Sequence, residues 1–115
     1  MKESAIQQDV RLTLSKGGVV TFRNNQGAYE DHHGRWIRYG VGQPGGSDLI
    51  GWKQTIVTPD MVGKPIAIFA AVEVKTESGR VTEAQQNFID QVNKSGGIAG
   101  VVRSAEDAEQ LLKSV

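Results

Sequence analysis

Apolar positions recur along this chain with two different periods, and each change of period marks an element. From Lys2 to Lys16 the residues Ile6, Val10 and Leu14 stand at every fourth position, which predicts a helix with one narrow apolar stripe, stopped by Gly17-Gly18. Glu3 precedes Ile6 by three positions and Val10 by seven, so it falls on the same face and is expected to point toward the body of the protein. Val19-Val20-Thr21-Phe22-Arg23 is β-rich and runs into Arg23-Asn24-Asn25, a strand and a turn. Asp48–Thr58 and Ile66–Lys75 read as two further strands, the second holding the apolar run Ile66–Val72 and expected to be buried on both faces. Pro59-Asp60-Met61-Val62-Gly63 between them has turn chemistry, and an antiparallel hairpin about residues 60 to 61 would set Asp48 beside Glu73.

After a turn at Glu77-Ser78-Gly79-Arg80 the period returns to that of a helix. Thr82-Glu83-Ala84-Gln85 satisfies the capping-box pattern, Ala84, Phe88, Ile89 and Val92 supply an apolar face, and Gly96-Gly97 ends the helix. Ile98 to Arg103 reads as a buried strand. Ser104 then caps a last helix with Glu106 and Asp107 in its first turn and Ala108, Leu111, Leu112 and Val115 facing inward. The resulting order, αβββαβα, predicts an α/β domain with a mixed β-sheet flanked by helices.

The charged residues of interest sit where this pattern makes charge costly. Side chains alternate along a strand, so Glu73 and Lys75 share one face while Val72 and Val74 point to the other. An ionised group near a core is unfavourable unless it is paired or binds a metal. With Asp48 brought alongside by the hairpin, two carboxylates and a lysine would form a hard, oxygen-rich site of the kind Mg²⁺ or Mn²⁺ prefers. Glu3 has a plainer reading, as an acid favoured by the helix dipole. Gln85 has a complete structural explanation as the capping partner.

The stretch from Asn25 to Gly45 is glycine-rich and irregular, yet carries Tyr29, Arg35, Trp36, Arg38 and Tyr39. Arginines interleaved with aromatics suit phosphate contacts and base stacking; an ordinary hairpin with solvated arginines fits equally well. His32-His33 point opposite ways on an extended chain with no third ligand at a zinc spacing, so they read as loop histidines. Gly40-Val41-Gly42-Gln43-Pro44-Gly45 matches G-x-G-x-x-G but leads into a strand and not a helix, and no Gly-Lys-Ser/Thr is present, so no nucleotide cofactor is expected.

Composition narrows the classes further. A chain of 115 residues supports one domain, 1–115, with a small core. Its formal charge of +0 means that any nucleic-acid affinity must come from local clustering. With Cys 0, disulfides, Cys-ligated zinc and a thiol nucleophile are all excluded, in keeping with a reducing cytoplasm. No apolar run approaches the roughly 18 residues of a membrane span, and Met1-Lys2-Glu3 before a polar helix does not resemble a signal peptide. A soluble, cytoplasmic protein with no membrane partner is expected.

Taken together, Glu3 in a first helix, Asp48 opening a strand, Glu73-Val74-Lys75 ending the next and Gln85 in the following helix resemble the PD-(D/E)XK nuclease superfamily. More narrowly, the chain is similar to a stand-alone virus-type replication-repair nuclease (VRR-NUC) domain of the short kind found in phages and bacteria. The resemblance runs through Arg23-Asn24-Asn25, Gly45–Gly51, Val72–Thr76, Gly79–Gln85 with Phe88-Ile89, and Gly96–Ser104. Ser47 stands where the superfamily's name has proline. The resemblance implies a restriction-endonuclease-like core in which Asp48, Glu73 and the Val74 carbonyl hold Mg²⁺ or Mn²⁺, with Glu3 completing the shell. It further implies that Lys75 orients water or stabilises the transition state and that Gln85 positions Lys75 or the phosphate. Arg23, Asn24, Arg35 and Arg38 are the candidates for DNA contact. The implied protein is a homodimeric Holliday-junction resolvase acting on branched DNA in the bacterial cytoplasm. A monomeric flap, nick or duplex nuclease and a non-catalytic DNA-binding module are the alternatives.

Overall fold

The computed structural model describes residues 2–42 and 44–113. The inward position expected for Val115 lies outside the described residues. The elements are α1 (Glu3–Lys16), β1 (Val19–Arg23), β2 (Gly27–Glu30), β3 (Trp36–Tyr39), β4 (Leu49–Lys53), a 3₁₀ turn (Pro59–Met61), β5 (Ala70–Val74), α2 (Glu83–Lys94), β6 (Ile98–Val102) and α3 (Ala105–Lys113). They fall into two compact units, 1–53 and 54–115. Among the described residues no helix is long and apolar enough to cross a membrane.

In the first unit α1 packs against β1, and β1 pairs antiparallel with β4 from Val19↔Lys53 to Arg23↔Leu49. Gly18, at φ +82°, takes the left-handed conformation that turns the chain from helix into strand. Phe22 and Trp52, diagonal neighbours two rungs apart on one face of the ladder, meet in a tilted arrangement at 5.4 Å between ring centroids. Gly51 lies so close under β1 that a Cβ there would overlap the Val20 carbonyl. The stripe expected on α1 is only partly covered, since Leu14 is half-buried while Ile6 and Val10 remain largely exposed. The irregular stretch after Asn25 contains a hairpin, β2 with β3, paired from Gly27↔Tyr39 to Glu30↔Trp36.

In the second unit α2 connects β5 to β6, which run parallel from Ala70↔Ile98 to Val74↔Val102. A parallel pair needs such a crossover. The core is Ile89 and Val92 of α2 with Ala99 and Val102 of β6. Gly97 admits no side chain, because a Cβ would sit 2.7 Å from both the Phe69 carbonyl oxygen and Val92 Cγ1. Asn93 fastens the helix to the strand through both amide atoms: Nδ2 donates to the Ala99 carbonyl at 3.0 Å and Oδ1 accepts from the Ala99 N–H at 2.9 Å.

Several expectations are corrected here. The strand expected over 48–58 stops at Lys53, whose rung partner Val19 is the first residue of β1, so β1 offers nothing further to pair with. The strand expected over 66–75 begins at Ala70 because its partner starts at Ile98, just after the Gly96-Gly97 exit from α2. Among the described residues β4 pairs with β1 and β5 with β6, so the hairpin of 48–58 with 66–75 and its register of Asp48 to Glu73 do not occur as strand pairing. Among the described residues the strands pair as three two-stranded sheets, and the β2–β3 hairpin adds two strands to the expected order αβββαβα. Nor is β5 buried on both faces: α2 lies against the side bearing Glu73, while Val72 and Val74 on the other side are 50% and 73% exposed. On α3 the half-buried positions are Ala108 and Leu111; Leu112, one residue further round, is exposed.

Candidate active site

Glu73 is the centre of the second unit's polar cluster. Alternation along β5 puts it with Ala71 and Lys75 on the half-buried face, as expected from the sequence. The ladder continues through Lys75, whose N–H donates to the Val102 carbonyl at 3.1 Å, so its side chain leaves from a fixed backbone. Lys75 Nζ lies 3.5 Å from Glu73 Oε1, with the two side chains only 19% and 32% exposed. Gln85 Nε2 donates to the same Oε1 at 3.0 Å. Two donors thus converge on one carboxylate oxygen.

Gln85 plays the capping role that its sequence position suggests, and its amide nitrogen reaches Glu73 where the resemblance implied Lys75 or the phosphate. Its Oε1 accepts from the Thr82 N–H at 3.0 Å while its own N–H donates to Thr82 Oγ1 at 3.1 Å, closing the capping box of α2. The remaining amide group reaches Glu73. The cap therefore fixes the rotamer that orients the carboxylate. Thr82→Ala should cost about 1 kcal/mol of stability through loss of the cap, with little loss of turnover per folded molecule. Gln85→Ala should cost a similar amount and also lower turnover by about tenfold or more, since a partner orienting a ligand is removed. Urea denaturation and cleavage assays on the two variants separate these effects.

Arg103 holds the turn that follows Lys75. Its Nη1 donates to the carbonyls of Thr76 at 2.6 Å and Gly79 at 2.7 Å, with a longer contact to Glu77, while its own N–H donates to Asp107 Oδ2 at 2.9 Å. Ser104 Oγ accepts from the Asp107 N–H, as the predicted cap of α3 requires. The clamp joins residues 24 to 27 positions apart, so no local pattern in the sequence announces it.

The first unit carries Asp48, immediately before β4. Its carbonyl accepts from the Asn24 N–H at 2.8 Å. The Asn24 side chain is spent on the backbone, with Nδ2 donating to the carbonyls of Val41 at 2.9 Å and Ser47 at 3.0 Å and Oδ1 accepting from the Val41 N–H. Gln26 Nε2 donates to the Gly46 carbonyl. These two amides hold the backbone at Val41, Gly46 and Ser47, and Asp48 lines a cleft of about 860 Å³ together with Glu3, Gln7, Arg23, Asn24 and Tyr39. Glu3 and Asp48, expected to act together, thus share one cleft with Arg23.

Of the other arginines, Arg35 is tied to its own hairpin: Nε donates to Asp31 Oδ2 at 3.1 Å, and Asp31 Oδ1 accepts the N–H groups of His33 and Arg35. Arg38 is on β3 and lines a second concavity with Trp36. His32 and His33 stack on each other, with ring centroids 4.0 Å apart, at the tip of the hairpin. The signals missed in the sequence are the backbone-pinning amides of Asn24 and Gln26; Asn-rich turn chemistry at Arg23-Asn24-Asn25 was the only hint of the first.

Among the described residues no group of three or more His, Cys, Asp or Glu side chains could by itself hold a metal ion.

Comparison with known families decides which fold family these elements form. The family model of the VRR-NUC domain matches residues 1–106, nearly the whole chain. The chain belongs to the VRR-NUC family. No curated protein and no solved structure matches it. The match spans every candidate site residue from Glu3 to Gln85. Membership implies a nuclease domain, and the mixed α/β architecture of three helices and small sheets is consistent with one.

Proposed function

We propose that this VRR-NUC domain is a divalent-metal-dependent, structure-specific DNA endonuclease that acts as a homodimer on four-way junctions during DNA replication, recombination or repair. The observation that carries the reading is the convergence of Lys75 and Gln85 on Glu73 Oε1, in a chain whose family is a nuclease family. Glu73-Val74-Lys75 ends a strand, and Gln85 opens the helix that follows it, which supports a PD-(D/E)XK core.

In this reading the carboxylates of Asp48 and Glu73 and the Val74 carbonyl would hold Mg²⁺ or Mn²⁺, with Glu3 in the surrounding shell. The bound ion would supply an activated water and neutralise charge on the phosphate. Lys75 donates hydrogen bonds to the attacking water or to the phosphate oxygens that gain charge as the P–O bond breaks. Gln85 keeps Glu73 in one rotamer during that step. Arg23, beside Asp48, contacts the DNA backbone. A two-fold dimer matches the two-fold symmetry of a junction, which is the physical reason for favouring that substrate.

The test is cleavage of a labelled immobile four-way junction, with a flap and a linear duplex as controls, in Mg²⁺ and in Mn²⁺. Paired nicks on opposing strands are expected. Equal cutting of flap or duplex by a monomer would replace the junction reading, and tight binding without cutting would replace catalysis by a binding role.

A further inference from the structure

We propose that the β2–β3 hairpin binds an unpaired nucleotide of the DNA, with its base stacked on Trp36 and its phosphate on Arg38. The proposal deepens the nuclease reading above and takes its ligand class from it.

Trp36 and Arg38 are two residues apart on β3, so they project from the same side of the ribbon. Opposite them stand Glu30 and Ala28. Trp36 and Arg38 line a concavity of about 510 Å³ with Gln26, Gly27 and Ala28. Gly27 and Ala28 are small, which leaves room for a flat ring against the indole. Trp36 is 70% exposed. The ribbon does not need that indole for its own packing, because Tyr29 and Tyr39 occupy the other side with ring centroids 6.4 Å apart and Tyr39 lies across Gly27. Asp31 fixes the tip by accepting three hydrogen bonds, and Asn24 fixes the root. The indole and guanidinium are therefore presented on a pre-organised support, which lowers the entropic cost of binding.

The chemistry selects the ligand. An aromatic plane stacks on any base whose face is open, and a guanidinium forks onto phosphate. Bases inside a duplex already have both faces stacked, so only an unpaired or terminal base can use Trp36. Glu30, across from Trp36, repels phosphate and directs it to the Arg38 end. Gln26 lines both this concavity and the cleft holding Asp48 and Arg23, so a strand leaving Arg38 can continue into that cleft. Unpaired nucleotides at a branch, gap or flap are the feature this hairpin reads.

Tryptophan emission tests the proposal on the full chain in EDTA, where hydrolysis plays no part. The chain has Trp 2, and the other, Trp52, meets Phe22 in a tilted arrangement. Single-stranded oligo-dT should quench wild-type emission, whereas a blunt duplex should quench it far less. Trp36→Ala should abolish the quench and weaken oligo-dT binding by about tenfold or more, while duplex affinity changes by less than about twofold. Trp36→Phe, which keeps an aromatic plane, should retain most of the oligo-dT affinity and guards against a folding defect in the alanine variant. Arg38→Ala should keep the quench at saturation and reduce the slope of log affinity against log salt by about 0.7. Unchanged wild-type emission with oligo-dT, or equal weakening of duplex and oligo-dT by Trp36→Ala, would overturn the proposal. Quenching by oligo-dT with no cleavage of any DNA would sustain the hairpin contact and sink the nuclease reading, so the two failures are distinguishable.

Discussion

Lys75→Ala is expected to reduce junction cleavage by at least about 10²- to 10³-fold, the usual loss when one group aimed at transition-state charge is removed. The fold should survive. Lys75 contributes an ion pair to Glu73 at 3.5 Å, and pairs that retain contact with solvent are typically worth under about 1 kcal/mol. Its backbone N–H, which extends the β5–β6 ladder to the Val102 carbonyl, is untouched by the substitution. DNA affinity should fall only slightly, since one cation is lost. Gel-based cleavage, a urea unfolding curve and a binding titration in EDTA separate the three effects. Cleavage at the wild-type rate would remove Lys75 from the chemistry and with it the assigned roles.

Glu73→Gln is expected to abolish cleavage and to weaken Mn²⁺ binding by more than the about 10- to 100-fold typical of a residue that only orients a ligand. The substitution keeps the shape of the side chain and removes its charge. Gln85 Nε2 can still donate to the new amide oxygen, so the capping box and the helix start should hold. What disappears is the anionic oxygen that a hard divalent ion requires. Asp48→Asn should behave in the same way, because the proposal gives both carboxylates to one ion. Calorimetric titration with Mn²⁺ checks this; affinities within about twofold of wild type in both variants would rule out these two residues as the metal ligands.

The contrast between Thr82→Ala and Gln85→Ala follows from the same cluster. One amide side chain closes a helix cap with its oxygen and steers a carboxylate with its nitrogen, so stability and turnover are coupled at Gln85 and separable at Thr82.

Local chemistry in the chain was enough to place the helices and the turns that bound them. Turn and cap residues act within four positions of themselves, so Gly17-Gly18, Thr82 to Gln85 and Ser104 located three helix ends, and strand alternation alone put Glu73 and Lys75 on one side of β5. Strand partners and strand lengths were different in kind. A strand extends only as far as its neighbour supplies hydrogen bonds, so β4 ends at Val19's rung and β5 starts at that of Ile98, and an apolar run such as Ile66–Phe69 cannot reveal this by itself. The Arg103 clamp, the Asn24 and Gln26 pins and the shared cleft of Glu3 with Asp48 also depended on packing, because each joins residues too far apart in the chain for spacing to bring together. Which residues carry charge and where the turns and helix caps fall followed from the order of amino acids; how far each strand runs and which of those charges meet was settled by hydrogen bonding and close contact in the folded chain.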